Sequence, residues 1–318
     1  MPPTPPILRD ILDAEERVRV VGHRTPVVTC SALDEMAGRQ LYFKCENLQK
    51  IGAFKIRGAS NFILKLPEEV ARRGVVTHSS GNHGQAVALA AGIRGIEAHI
   101  VMPTTAAEVK RRAVRGYGGI VVDCEPNERA RDATAARLVE ETGATFIPPY
   151  DHPDIIAGQG TAALEMLEDL PELEGLVAPV GGGGLMSGTS IAGHGTNPSI
   201  RLFGAEPAGA DDAYRSLEAG RIIPQTDPRT IADGLLTSLG PLTFAVLSAH
   251  LERIFTVSED EIVAAMRLFW ERAKLIIEPS AAVAVAVVLS EAFRQLDDLE
   301  RVGVILSGGN LDLAKLPW

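Results

Sequence analysis

The 318-residue chain has few cysteines, a deficit of positive charge and no long apolar run. Its three cysteines, Cys30, Cys45 and Cys124, are far apart and form no C-x-x-C pair, so neither a disulfide framework nor a cysteine metal site is predicted. The 31 Lys and Arg against 41 Asp and Glu leave a net charge of −10. Phosphate neutralisation dominates nucleic-acid affinity, so an acidic chain without basic runs is not expected to bind nucleic acid.

Targeting and membrane signals are also missing from the sequence. The N-terminus has no basic region followed by an apolar stretch, so no signal peptide is predicted. The longest apolar run, residues 281–289, is too short to span a bilayer and predicts a buried helix instead. We therefore expect a cytoplasmic protein without a membrane partner.

Short β-branched runs alternate with alanine-rich helical patterns along most of the chain. Such alternation predicts an α/β fold with parallel open sheets and helices on both faces. We expect residues 68–150 to form a small α/β domain, with residues 1–67 and 151–318 forming a large domain, which is the cofactor-binding domain under the family resemblance described below. The predicted small-domain strands are 75–77, 98–102, 119–124 and 144–147, and its helices are 85–92, 106–115 and 127–142. The predicted large-domain strands are 176–180, 201–205 and 302–306, and its helices are 156–167, 185–192, 260–274 and 279–293.

Lys55 is the first candidate for chemistry. It follows Phe54 in the run Lys50-Ile-Gly-Ala-Phe-Lys-Ile-Arg-Gly58. A lysine amine forms a Schiff base with a carbonyl if it is partly desolvated and can lose its proton. An isolated lysine is more often a solvated surface residue, so other parts of the chain must support this interpretation.

A run of four glycines, Gly181–Gly184, lies between a predicted strand and a predicted helix. Backbone N–H groups at such a turn converge on an anion at the positive end of the helix, which predicts a phosphate site. A P-loop is excluded because Leu185 stands where Gly-Lys-Ser/Thr would be needed. A dinucleotide site stays open, since Gly182-x-Gly184 is a partial fingerprint and Glu206 follows at the distance of a ribose-binding acid, although Ser187 replaces the third glycine.

Two other turns end predicted strands. Thr77-His-Ser-Ser-Gly-Asn-His-Gly84 offers hydroxyls, an amide and N–H groups that suit a carboxylate. Its two histidines lack a third metal ligand nearby, so a metal site there is not favoured. Ser307-Gly-Gly-Asn310 follows the last strand, where ligands bind in open α/β sheets.

The Lys55 run, Ser79-Ser-Gly-Asn-His-Gly-Gln85, Gly181–Gly184 and Ser307–Asn310 occur in this order. Together they resemble the fold-type II pyridoxal-phosphate enzymes of the threonine dehydratase and serine racemase group, which share a tryptophan synthase β-like fold. The resemblance covers about residues 20–312. It implies that Lys55 forms the Schiff base with pyridoxal 5'-phosphate and that Phe54 packs beside the pyridine ring.

The same resemblance implies roles for the three turns. Asn82 bonds the phenolic oxygen of the cofactor, and Ser307 meets its pyridine nitrogen. The phosphate is held by Gly181, Gly182, Gly183, Gly184 and Leu185. The substrate carboxylate is received by Ser79, Ser80, Gly81 and Asn82. By the same resemblance, Ser80 is a second catalytic residue that faces the substrate from the side opposite to Lys55.

A divalent-metal loop is also implied by the resemblance. Gly204-Ala-Glu-Pro-Ala-Gly-Ala-Asp-Asp212 is similar to that of serine racemase and its dehydratase relatives. The implied ligands are Glu206, the carbonyl of Ala210 and Asp212, a set that suits Mg²⁺, with Ca²⁺ or Mn²⁺ as alternatives. Under this interpretation Glu206 is a metal ligand and not a ribose-binding acid.

Three departures from animal serine racemases narrow the branch. Tyr150 stands where they carry an asparagine, Leu236-Thr237 replaces a Lys-Ser pair, and Ile51 replaces a threonine near their nucleotide site. At these positions the chain is similar to microbial dehydratases, including those that act on threo-3-hydroxyaspartate. The changes do not favour activation by ATP. Arg131 is a candidate for a second substrate carboxylate. A homodimer is expected by resemblance only.

The predicted activity is PLP-dependent dehydration of a β-hydroxy amino acid (3-hydroxyaspartate, serine or threonine) to a 2-oxo acid and ammonia, with Lys55 as the base. Lys55 must be neutral, so its pKa is expected below the ordinary value of about 10.4, because of burial and with no close carboxylate to hold its charge. The alternatives are serine racemisation with dehydration as a side activity, an NAD-binding oxidoreductase, and a binding protein without catalysis.

Overall fold

Two mainly parallel sheets organise the computed structural model, which describes residues 4–79 and 81–318. The large sheet has the strand order β1-β2-β10-β7-β8-β9, and the small sheet has the order β5-β4-β3-β6. The large-sheet strands are Val27–Val28 (β1), Gln40–Cys45 (β2), Gly175–Pro179 (β7), Arg201–Pro207 (β8), Arg253–Val257 (β9) and Arg301–Leu306 (β10). The small-sheet strands are Val75–His78 (β3), Ala98–Pro103 (β4), Ile120–Cys124 (β5) and Thr145–Phe146 (β6).

Helices cover both faces of the large sheet. The helices among the described residues are Leu8–Val21 (α1), Ser31–Ala37 (α2), Lys55–Lys65 (α3), Glu68–Ala71 (α4), Asn82–Arg94 (α5), Glu108–Gly116 (α6), Glu128–Thr142 (α7), Pro153–Asp169 (α8), Gly184–Thr196 (α9), Asp212–Ala219 (α10), Pro241–His250 (α11), Glu259–Ala273 (α12), Pro279–Leu289 (α13) and Glu291–Arg294 (α14). One face of the large sheet packs on α2, α12 and α13, and the other packs on α1, α8, α9 and α11. The predicted α/β fold with parallel sheets is thereby confirmed.

The small sheet is also covered on both sides. Successive β3 residues point to opposite faces, as in any strand: Val75 packs with α3 and α5, whereas Val76 packs with α7. The small-sheet core therefore includes apolar side chains of α3, a helix that precedes residue 68 in the chain.

Two local predictions were wrong. The single helix predicted over 279–293 breaks at Ser290, whose backbone is extended at φ −69° and ψ 153° and whose hydroxyl accepts the Phe293 N–H. Serine is a strong helix N-cap, so α14 begins anew there. The other difference is in the large sheet, where β1, β2 and β9 were not predicted and β1 pairs antiparallel with β2 at one edge.

The buried helix predicted from the apolar run is confirmed. Residues Ser280–Val288 of α13 are buried, and the helix packs in the core of the large sheet. No helix within the described ranges is both long and apolar enough to cross a membrane.

A buried ionic network lies behind the start of α3. Arg57 donates from Nε to Glu46 at 2.7 Å and from Nη1 to Glu165 at 2.8 Å. Lys44 donates to the other oxygen of Glu165 at 2.7 Å. These two cations and two carboxylates are fully or almost fully enclosed, so they tie β2, α3 and α8 together two residues after Lys55.

Candidate functional site

Lys55 is the first residue of α3, and its side chain is half-buried. Lys55 Nζ donates to the Pro149 carbonyl at 2.7 Å and lies 5.2 Å from the centroid of the Phe54 ring. Burial lowers the pKa of Lys55 to about 8, and the negative charge of Glu278 opposes this shift. The predicted direction and its main cause, burial, are confirmed.

The glycine loop packs directly against Tyr150. Gly183 has a left-handed φ of 85° and caps α9, which begins at Gly184. A Cβ added to Gly182 would overlap the Tyr150 ring, and one added to Gly184 would lie 2.9 Å from the Tyr150 Cβ. The loop therefore has no space for side chains, while the first N–H groups of α9 stay available for an anion.

Gly182→Ala is expected to weaken phosphate binding by the loop, because the new methyl group forces either the loop or the Tyr150 ring to move. We expect at least about tenfold weaker binding of pyridoxal phosphate to the apo-protein, the size of one charge-assisted hydrogen bond. Gly116→Ala is the matched control, since nothing lies within 4 Å of its added Cβ. Equal affinities of the two variants would contradict this prediction.

Tyr150 has a polar end as well as a packed ring. Its pKa is raised by burial and by the neighbouring charge of Asp151, and the Thr237 hydroxyl is a hydrogen-bonding neighbour that opposes the rise. Asp151 accepts from Leu242 N at 3.1 Å and Thr243 N at 2.9 Å, which pins the segment to the start of α11. Tyr150 and Thr237, which the sequence marked as departures, are thus neighbours in the site.

Ser307 lies beside the Lys55 segment. Its carbonyl accepts the Phe54 N–H at 3.0 Å, and the next residue, Gly308, forms an antiparallel bridge with Ala53. The Ser307 hydroxyl is buried and has no hydrogen-bond partner among the described residues. A buried hydroxyl rarely stays unpaired, so this oxygen suits a ligand atom such as a ring nitrogen.

The turn after β3 is only partly described. Ser79 Oγ accepts the Gly81 N–H at 3.2 Å, and Gly81 is the N-cap of α5, which begins at Asn82. The predicted catalytic residue Ser80 lies outside the described residues. His83 is buried and its Nε2 lies 3.1 Å from the Ile147 carbonyl; burial lowers its pKa to about 3, so it is a neutral donor to that carbonyl.

The side-chain amide of Asn82 joins this turn to the far end of the chain. Asn82 Nδ2 donates to Glu278 Oε1 and Oε2 at 3.1 and 3.2 Å, and Asn82 Oδ1 accepts from Asn310 Nδ2 at 2.9 Å. One of the two Asn82 N–H groups is sufficient for Glu278, which leaves the other for a ligand oxygen. Glu278 and Asn310 had no predicted role. The only sequence signals were an acid before Pro279 and the asparagine of the last glycine turn.

The proposed metal loop places two carboxylates together. Glu206 accepts from Ala213 N at 3.1 Å and Tyr214 N at 2.7 Å, and burial, with a contribution from Asp212, raises its pKa well above the usual range. Burial also raises the pKa of Asp212 to about 6. Asp212 Oδ2 is buried without a partner in the described structure, and Ala210 is buried beside them. A cation would relieve this repulsion, so the donors fit one. However, the described residues contain no group of three or more His, Cys, Asp or Glu side chains that could hold a metal.

The residues around Lys55 fit pyridoxal phosphate. They combine an amine of lowered pKa, a glycine loop at a helix N-terminus, an unpaired buried hydroxyl and an amide with an N–H to spare. Each of these groups is suited to one part of that cofactor: the carbonyl, the phosphate, the ring nitrogen and the phenolic oxygen.

Comparisons with known proteins agree with this geometry. The serine racemase of Dictyostelium discoideum is 49% identical over 97% of this chain and 96% of its own length, and its crystal structure matches with a TM-score of 0.94. The beta-hydroxyaspartate dehydratase of Paracoccus denitrificans is 48% identical over 98% of this chain and 99% of its own length. The crystal structure of the T.th. threonine deaminase is 42% identical, covers 98% of this chain and 100% of its own, and has a TM-score of 0.92.

A family model described as "Pyridoxal-phosphate dependent enzyme" matches residues 18–308. This span contains Lys55, the glycine loop and Ser307. A match to a pyridoxal-phosphate family favours a cofactor phosphate at the glycine loop over the dinucleotide that Gly182-x-Gly184 also suggested. The chain therefore belongs to the family of pyridoxal-phosphate-dependent enzymes.

Proposed function

We propose that this protein catalyses PLP-dependent β-elimination from a β-hydroxy amino acid, giving a 2-oxo acid and ammonia. The observation that carries the proposal is the half-buried Lys55 amine, which donates to the Pro149 carbonyl and has a pKa of about 8. The Pro149 carbonyl holds this amine, and the next residue, Tyr150, packs on the glycine loop. One short segment thus links a base that can be neutral near physiological pH to a phosphate site.

Each residue has a defined part in this reaction. Lys55 in its neutral form removes the Cα proton as general base. When bound, pyridoxal phosphate takes up the electron pair left on Cα. Asn82 and Ser307 orient the cofactor through its phenolic oxygen and ring nitrogen, and the start of α5 with Ser79 and Gly81 receives the substrate carboxylate. The neutral Ser307 hydroxyl cannot enforce a charged ring nitrogen as an aspartate would, which favours prompt loss of the β-hydroxyl.

We propose 3-hydroxyaspartate as the preferred substrate, ahead of serine and threonine. Arg131 carries a buried Nε without a partner among the described residues, and its guanidinium lies 3.7 Å from Glu128 and 3.9 Å from Asp132, beyond strong pairing distance. The pKa of His78, at the end of β3, is lowered by burial first and then by the nearby charge of Arg131. An arginine with spare donors on this side of the site suits a second substrate carboxylate.

Release of 2-oxo acid and ammonia from the four candidates tests this function. The holoenzyme is incubated separately with L-serine, L-threonine and the threo and erythro forms of 3-hydroxyaspartate. We expect product from at least one threo isomer at the highest kcat/KM. Absence of product from all four would overturn the proposal, and a higher kcat/KM for serine or threonine would overturn the substrate preference.

Serine racemisation is the second candidate, favoured by the 49% identity to a serine racemase. It would use Lys55 on one face of the substrate and Ser80 on the other. Chiral analysis of serine recovered from incubation with L-serine separates the two activities: D-serine forming faster than pyruvate would make racemisation the main reaction.

We also propose a divalent cation, Mg²⁺ in the first place and Ca²⁺ or Mn²⁺ otherwise, at Glu206, Asp212 and the Ala210 carbonyl. Added MgCl₂ is expected to raise the melting temperature of EDTA-treated protein, because a cation that binds the folded state and not the unfolded state stabilises the fold. Asp212→Asn is expected to abolish that rise. Asp211→Asn is the control, since Asp211 pairs with Arg215 at 2.7 Å outside the carboxylate pair. An unchanged rise in Asp212→Asn would contradict the ligand assignment.

The remaining assignments stay predictions. The division into residues 68–150 and residues 1–67 with 151–318 is supported by the two sheets, whose strands fall on either side of these bounds. A homodimer, a cytoplasmic location and a lack of activation by ATP are predictions from the sequence and its resemblance.

A further inference from the structure

We infer that Glu278 is a positioning residue which, together with Asn310, fixes the direction in which the Asn82 amide faces the cofactor. The inference rests on the proposed role of Asn82 in cofactor binding. It concerns two residues near the C-terminal end of the chain that the proposed reaction does not use directly.

A continuous set of hydrogen bonds connects these residues. Asn82 Nδ2 donates to both oxygens of Glu278, and the Asn310 backbone N–H donates to Glu278 Oε2 at 3.0 Å. The Asn310 side chain donates from Nδ2 to Asn82 Oδ1 at 2.9 Å and to the Ile51 carbonyl at 2.6 Å. Asn82 is therefore held at its nitrogen by Glu278 and at its oxygen by Asn310.

The chemistry of the two ends of this set decides the orientation of the amides. An ionised carboxylate and a backbone carbonyl only accept hydrogen bonds. The Ile51 carbonyl therefore requires the Asn310 nitrogen on its side, and that nitrogen then faces the Asn82 oxygen. Glu278 independently requires the Asn82 nitrogen on its own side. The Ile51 carbonyl and the Glu278 carboxylate therefore require the same orientation of the Asn82 amide, and this orientation fixes the direction of its second N–H.

The backbone that supplies the Ile51 carbonyl is unusual. Ile51 is buried and has a left-handed φ of 59°, a rare conformation for a β-branched residue. Gly52 follows with a φ of 70°, and a Cβ there would lie 2.6 Å from Asn310 Oδ1. Strained backbone persists where the surrounding structure enforces it and is concentrated at functional sites. Here the left-handed conformation of Ile51, four residues before Lys55, places its carbonyl within hydrogen-bond distance of the Asn310 side chain.

Protonation of Glu278 would weaken this control. Burial, and after it the negative charge of Asp233, raise the pKa of Glu278 to about 7, whereas the hydrogen bonds from Asn82 and the Asn310 N–H and the charge of Lys110 oppose the rise. Lys110 belongs to α6 and pairs with Asp233 at 2.7 Å, and Lys55 faces Glu278 from α3. Above pH 7 the carboxylate only accepts, and the amide is fixed. Below pH 7 a protonated oxygen can donate, so the Asn82 nitrogen is no longer the required partner.

The test uses the absorption spectrum of the bound cofactor between pH 5.5 and 8.5 and the affinity of the apo-protein for pyridoxal phosphate at pH 8. Wild type is expected to show a spectral transition near pH 7. Glu278→Gln is expected to lack that transition and to bind the cofactor about tenfold more weakly, the size of one hydrogen bond to a charged group. Glu15→Gln is the control: it removes a largely buried carboxylate that contacts Arg19 and not Asn82 and is expected to keep the transition.

A double-mutant cycle shows whether Glu278 acts through Asn82. Adding Glu278→Gln to Asn82→Ala is expected to change the affinity no further. Fully additive effects, or a transition that persists in Glu278→Gln, would overturn the inference. If Glu278→Gln does not fold, Asn310→Ala serves instead, and an affinity equal to wild type would overturn it. Elimination by wild type is assayed in parallel. If wild type shows the spectral transition but no elimination, the proposed function fails while the inference about Glu278 stands.

Discussion

Replacing Lys55 by alanine is expected to abolish the visible Schiff-base absorbance and to lower turnover by about 10²–10⁴-fold or more. The reason is the site around this amine. Burial lowers its pKa to about 8, and the Pro149 carbonyl holds it at 2.7 Å. The buried Lys44 is paired with Glu165 at 2.7 Å, so it is not free to take over either role.

The control for this prediction is Lys55→Arg. Arginine keeps the positive charge and the length of the side chain but cannot lose its proton. We expect it to be as inactive as the alanine variant while the protein stays folded by circular dichroism. An alanine variant with the normal visible band and normal turnover would show that Lys55 is not the reacting amine.

Replacing Arg57 by methionine is expected to lower the free energy of unfolding by about 3–5 kcal/mol. The change removes one cation from the enclosed network and leaves Glu46 and Glu165 with Lys44 alone. Removing one partner of a buried ion pair is strongly destabilising because it leaves an uncompensated charge in a poorly solvated position. The apolar stem of methionine fills most of the space, so the effect reports the charge.

Urea unfolding of the apo-protein measures this effect without a contribution from the cofactor. Arg24→Met is the matched control, since Arg24 pairs with Glu168 at 2.8 Å and Asp169 at 2.7 Å in a half-exposed position. Exposed pairs of this kind contribute less than about 1 kcal/mol. Equal losses for the two variants would mean that burial of the network contributes nothing.

The parts of the site that the sequence could predict are those made by short segments. The sequence neighbours of Lys55 and of Gly181–Gly184 were enough to suggest a Schiff-base lysine and a phosphate site. A strand followed by a glycine turn and a helix also places the turn at the carboxyl end of the strand, where ligands bind. The alternation of strands and helices likewise predicted parallel sheets, since a crossover helix has to return the chain in the same direction.

The parts that could not be predicted depend on contacts between distant residues. Glu278 and Asn82 are 196 positions apart, and Asn310 and Ile51 are 259 apart, so no local pattern links them. The sequence around Glu278 indicates only a helix boundary. That boundary is confirmed, because Glu278 is the N-cap of α13, but it says nothing about the contact with Asn82. The break at Ser290 was missed for a different reason, since an apolar pattern continues across it.

Elimination from a hydroxy amino acid with Lys55 as the base is the central claim. The measurement that tests it most directly is the release of 2-oxo acid and ammonia from threo-3-hydroxyaspartate by wild type and Lys55→Ala, both loaded with pyridoxal phosphate. We predict equimolar 2-oxo acid and ammonia from wild type and none above background from the variant. Equal product from both proteins, or none from wild type with any of the four hydroxy amino acids, would contradict it.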